Sequence, residues 1–149
     1  MIDRNEIFNK VFAHLVIQGK PSRNIEDDIC VYQNSDGDKC AIGCLIPDEL
    51  YTMGLEGNGV RDKKVKDVLR QVFPNIGLKD FEFLENLQQL HDDLMYDYEG
   101  VKSGKKYTRY FYFDLFNQME QLCIDHSDDN ISMSEENIKL YKEKLLESI

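Results

Sequence analysis

The 149-residue chain contains no run of about 18 apolar residues, so no segment reads as a membrane-spanning helix. Its N-terminus opens on Asp3, Arg4 and Glu6 instead of a basic and then apolar leader, and the expectation is a cytoplasmic protein. CxxC pairs, GxGxxG and Walker spacings are missing, so neither a zinc knuckle nor a glycine-rich phosphate cradle is signalled. Basic residues are scarce: 18 Lys and Arg stand against 28 Asp and Glu, a net charge of −10. Repulsion from phosphate then disfavours bulk nucleic-acid binding, while a local basic pocket or a partner with a basic surface stays compatible with the balance. No local catalytic signature exists, and no catalytic residue is assigned.

What is present is organised around Cys30 to Tyr51, CVYQNSDGDKCAIGCLIPDELY, which holds three of the four cysteines. Two short runs flank Asp36-Gly37, a turn that suits a glycine at positive φ, so the spacing predicts an antiparallel β-hairpin over 30–42. Pro47 with Asp48 and Glu49 predicts a short helix over 47–52, since proline is tolerated in a first turn and acids suit its dipole. Apolar periodicity predicts further helices over 3–18, 60–73, 80–98, 108–126 and 134–148. The first is capped by Asp3 with Glu6 three residues on and carries Ile7, Phe8, Val11, Phe12, Leu15 and Val16 on one face; the last is expected to open at Ser132 or Ser134, Glu135 completing a second box. The fourth is crowded with Tyr110, Phe111, Tyr112, Phe113, Leu115 and Phe116, which makes it either central to the core or an interface. The expected fold is mainly α with one small antiparallel hairpin (α+β), a single compact domain of five to six helices over 1–149.

Three constellations could carry chemistry. Cys30, Cys40, Cys44 and His91, with Cys123 and His126 elsewhere, are zinc-type donors; the plainer reading is that reduced cysteines pack as small hydrophobes, so no metal or cofactor is assigned and zinc is the one that would fit. Cys44 precedes a first helical turn, which lowers a thiol pKa, and could act with His91 and Asp92 or Asp93 in a thiol enzyme; the plainer reading is again packing. Lys102, Lys105, Lys106, Tyr107, Arg109 and Tyr110 form a basic, aromatic stretch without an acid, suited to a phosphate-bearing small molecule if it is not simply a solvated loop.

The run Cys30-x9-Cys40-Ala41-Ile42-Gly43-Cys44-Leu45-Ile46-Pro47-Asp48-Glu49-Leu50-Tyr51, followed by Leu87-Gln88-x2-His91-Asp92, resembles a family of small uncharacterised proteins of tailed phages, prophages and bacterial mobile elements, over roughly the first 95 residues. The resemblance implies a setting in the host cytoplasm and no reaction. The expected function is therefore a non-enzymatic accessory protein that binds and blocks a host defence protein or sequesters a nucleotide signal, with self-association into a homo-oligomer as a further option. The alternatives are a zinc- or thiol-dependent enzyme using Cys44 and His91, and a virion or structural accessory protein.

Overall fold

The computed structural model describes residues 2–24, 26, 29–97 and 104–149, the side chains of 95–97 and 104–107 excepted. Among these residues the fold is mainly helical: α1 (Arg4–Gln18), α2 (Lys63–Val72), α3 (Leu78–Asp97), α4 (Gly104–Asp125) and α5 (Glu135–Glu147). No helix is long and apolar enough to cross a membrane among the described residues.

α1 is the axis of the core. Asp3 Oδ1 accepts the Glu6 N–H at 3.0 Å and satisfies one of the orphan donors of the first turn. The helix stops at Gly19, whose φ of 71° is cheap for glycine. Ile7, Phe8, Val11, Phe12, Leu15 and Val16 all bury against the neighbouring helices. Phe12 meets Phe116 of α4 and Tyr141 of α5 at ring separations of 6.5 and 6.3 Å, and the Tyr112 hydroxyl of α4 donates to Val16 O at 2.9 Å.

α4 divides its aromatics between two faces. Phe111, Tyr112, Leu115 and Met119 are buried, while Tyr110 and Phe113 keep 44% and 47% of their surface exposed. α5 is capped by Ser134, whose side chain accepts the Asn137 N–H at 3.1 Å; Asn137, and not Glu135, occupies the third helical position.

Polar clamps tie the chain's distant parts to α1. Asn9 Oδ1 accepts Ser134 N–H and Asn9 O accepts Asn137 Nδ2, both at 2.8 Å. Arg4 reaches Asp80 at 2.9 Å and Asp129 at 2.8 Å. Burial alone would raise the Asp80 carboxyl, but the Gly77 N–H, Arg4 and the Ile2 N–H outweigh it and hold Asp80 below the usual carboxylate range.

The hairpin expected over 30–42 is not seen. Among the described residues there is no strand, only two isolated antiparallel bridges, Arg23 with Cys30 and Gln33 with Lys39. Two backbone bonds cross the ribbon, Asn34 N–H to Asp38 O at 3.0 Å and Cys40 N–H to Tyr32 O at 3.2 Å, but other donors that would extend a ladder go to side chains. Tyr32 and Gln33 N–H donate to Glu56 at 2.8 and 3.2 Å, Lys39 N–H to Gln18 Oε1 at 2.8 Å, and Ile42 N–H to Gln88 Oε1 at 3.2 Å. Each group is paired, as burial requires, without a second strand. The tip is the expected tight turn, with Gly37 at φ 86° and Asn34 Oδ1 accepting Asp36 and Asp38 N–H at 3.0 and 2.9 Å.

The helix expected over 47–52 is likewise corrected: the chain forms single 3-10 turns at Gly43–Leu45, Asp48–Leu50 and Met53–Leu55. Extended backbone at Tyr51 and Thr52 interrupts them. The Tyr51 hydroxyl donates to Glu56 at 2.6 Å, so this stretch is bent round a carboxylate and does not coil.

Candidate functional site

A short antiparallel pairing builds one half of the candidate site. Asn24 N–H donates to Ile29 O at 2.8 Å and Val31 N–H to Ser22 O at 3.4 Å, which pairs Arg23 with Cys30 and keeps the Ser22 backbone one residue from that pair. The other half is one face of α3, where Gln88, His91 and Asp92 fall at i, i+3 and i+4. Leu84, Leu87 and Leu94 of the same helix are fully buried and anchor that face to the core.

His91 is completely buried and uses both ring nitrogens. Its Nε2 accepts the Ser22 N–H at 2.8 Å, and its Nδ1 lies 3.1 Å from Asp92 Oδ1. Since a backbone N–H can only donate, Nε2 carries the lone pair and the proton resides on Nδ1, facing the carboxylate. Asp92 also accepts Gln88 Nε2 at 3.0 Å and a hydrogen bond from the Cys30 thiol. The result is a clasp: Ser22 N–H to His91, His91 to Asp92, and Cys30 to Asp92.

Cys30, His91 and Asp92 each offer one donor atom within 4.8 Å of the others. Their chemistry, a thiol, an imidazole and a carboxylate, is that of a zinc site. Binding an ion there would displace the Cys30 proton and the Nδ1 proton that the Ser22 contact imposes. Burial first, and the negative Asp92 second, push the Cys30 thiol well above its ordinary value.

Cys40 and Cys44 are not brought into that trio. Cys40 is fully buried, with Sγ accepting the Gly43 N–H at 3.2 Å, and burial raises its thiol strongly. Cys44 donates to Ala41 O at 3.1 Å; burial pushes it up to about 12 despite Lys10 and Lys39 nearby. A nucleophilic thiol needs the opposite shift. Cys123 and His126 do not converge on the trio: His126 contacts Asn86 at 3.1 Å and Asp129 at 3.2 Å instead.

No family model, curated protein or solved structure matches the chain.

Of the basic stretch, Lys102 lies outside the described residues, and the side chains of Lys105, Lys106 and Tyr107 do too. Arg109 is half-buried and Tyr110 is exposed near the start of α4. Asp93 accepts Gln89 Nε2 at 2.9 Å.

Three residues were not singled out from the sequence. Ser22 contributes only its backbone N–H, which no side-chain pattern reveals. Gln88 stands in the LQxxHD run yet looks like an ordinary helical polar residue. Glu56 gathers Tyr32 N–H, Gln33 N–H and the Tyr51 hydroxyl from 5 to 24 positions away, and stands among Gly54, Gly57 and Gly59 with no motif around it.

Proposed function

We propose that the chain is a non-enzymatic accessory protein of phage type that binds and blocks a host protein, a component of host defence being the expected target. The observation that carries this reading is the clasp. The Cys30 thiol and the His91 imidazole are hydrogen-bonded and hold the loop segment on α3, and the Cys40 and Cys44 sulfurs are tied to their own loop backbone, so the groups that could do chemistry read as scaffold. Recognition then belongs to the surface, where the outer face of α4 presents Tyr110 and Phe113, side chains of the type that anchors interfaces. The charge of −10 favours a partner with a basic surface, through steering and complementarity. The phage setting comes from the resemblance of the Cys30–Tyr51 and LQxxHD segments.

The test is affinity capture from bacterial lysate followed by native mass spectrometry. A discrete protein at fixed stoichiometry, lost when Phe113→Asp is used as bait, is the expected result. Recovery of the bare chain at every concentration overturns the reading.

A second reading has one observation behind it, the convergence of Cys30, His91 and Asp92 within 4.8 Å. Under it the chain is a zinc protein. Metal analysis of protein purified without chelator decides: stoichiometric zinc that disappears in Cys30→Ser supports it, and metal-free wild type removes it.

A further inference from the structure

The loop segment that fails to form a hairpin instead walls a cavity of about 630 Å³, lined among others by Asn24, Glu26, Asn34, Tyr51, Met53 and Glu56. Its size falls in the range of binding pockets, roughly 300–1,000 Å³. Among the described residues, the ionisable groups of its lining are Glu26, Glu56 and the Tyr51 phenol, with no cation.

Glu56 is held rigid. Its Oε1 accepts the Tyr32 N–H at 2.8 Å, and its Oε2 accepts the Gln33 N–H at 3.2 Å and the Tyr51 hydroxyl at 2.6 Å. Two carboxylate oxygens offer about four acceptor positions, and these contacts fill three, leaving room on Oε1. A carboxylate fixed by its own scaffold does not have to be ordered when a ligand arrives. Beside it stand the Tyr51 ring and, at the mouth, Met53, 83% exposed. A ring face and a thioether both favour a flat, weakly hydrated cation over a compact ammonium.

We infer that this cavity receives an arginine side chain from the basic surface of a partner protein, Glu56 meeting the guanidinium, Tyr51 stacking beside it and Glu26 adding charge at the rim. The inference rests on the reading of the chain as a binding protein and names the chemistry its partner presents. Phosphate-bearing ligands are disfavoured here because both carboxylates would face them. The net charge of −10 supplies the long-range attraction that delivers a basic surface to the site.

The experiment is an NMR titration of the purified full chain with N-acetyl-Gly-Arg-Gly-amide and with its citrulline counterpart, a neutral isostere. The expected result is saturable shifts of the Met53 methyl and Tyr51 ring signals with arginine, and binding weaker by about tenfold or more with citrulline, as loss of a charge-assisted hydrogen bond requires. Glu26→Lys should abolish the shifts. Glu136→Lys, an exposed position on α5 outside the cavity lining with the same charge change, should leave them in place. Equal binding of the two peptides, equal loss in both variants, or no shift at Tyr51 and Met53 overturns the inference. Glu26→Lys used as bait in the lysate capture separates the two levels. A partner still retained in full leaves the binding role standing and removes the cavity from it, whereas wild-type bait that captures nothing removes the role itself.

Discussion

Replacing His91 tests whether the clasp holds the molecule together. In His91→Ala the Ser22 N–H, buried and 2.8 Å from Nε2, loses its acceptor, at a cost of about 1–3 kcal/mol. The vacated ring leaves a cavity beside Leu87 and Leu94, both fully buried, and large-to-small changes of this kind cost about 2–5 kcal/mol. The two effects share one site and overlap, so a total near 4 kcal/mol is expected, a large part of the ~5–15 kcal/mol that keeps a domain folded. For a chain of 149 residues that lowers Tm by about 8–16 °C. His91→Phe separates the contributions, since it keeps the volume and removes only the acceptor and the Nδ1 proton; about 1–3 kcal/mol is expected. The assay is urea unfolding followed by circular dichroism, with hydrogen exchange at the Ser22 amide as the local readout. If His91→Ala unfolds within about 0.5 kcal/mol of wild type, a range typical of surface changes, and the Ser22 amide is no less protected, the imidazole is not what fastens the loop to α3.

Other expectations follow from the same geometry. A Cβ on Gly43 would lie 2.0 Å from Tyr32 O, so Gly43→Ala should cost several kcal/mol, of the order of other overpacked sites at about 1–3 kcal/mol or more; an unchanged melting curve would contradict that packing. Cys44, raised to about 12 from 9.0, should react with iodoacetamide at pH 8 about a thousandfold more slowly than a free thiol, in proportion to its thiolate fraction. Peptide mapping after a timed pulse measures this, and rapid labelling would refute it. Asp80, held below its ordinary 3.8, contributes stability that is present above that value and lost as pH falls through its folded pKa; Asp80→Asn should flatten the acid limb of a stability profile. Burial lowers His14 from 6.5, so its neutral form is the folded one and stability should decline as pH drops below about 6.5, with His14→Gln removing that slope.

The legible part of this chain was its local part. The apolar face of α1 and the Asp3 cap depend on residues within one or two turns of each other, and both stand in the structure. So does the mainly helical class. The ribbon was illegible for the opposite reason. Four of its donors, on Tyr32, Gln33, Lys39 and Ile42, are satisfied by Glu56, Gln18 and Gln88, between 21 and 46 residues away, and a run of β-type residues with a good turn cannot announce that side chains elsewhere will take those hydrogen bonds. The clasp was visible only in pieces, Cys30 and His91 among the zinc-type donors and Asp92 beside Cys44 in the thiol set, and no pattern joined the three. Its assembly turned on a Ser22 amide 69 positions from the ring. In α4 the aromatic density was plain, but only packing decided that Phe111 and Tyr112 face inward and Tyr110 and Phe113 outward.

The first helix is finished by the last. Phe12 is covered by Tyr141, and Asn9 is gripped by Ser134 and Asn137, partners more than 120 positions downstream. During synthesis α1 therefore leaves the ribosome with its greasy side bare and must wait for more than 120 further residues before that side is covered. That interval is when chaperones or a neighbouring nascent chain can reach it.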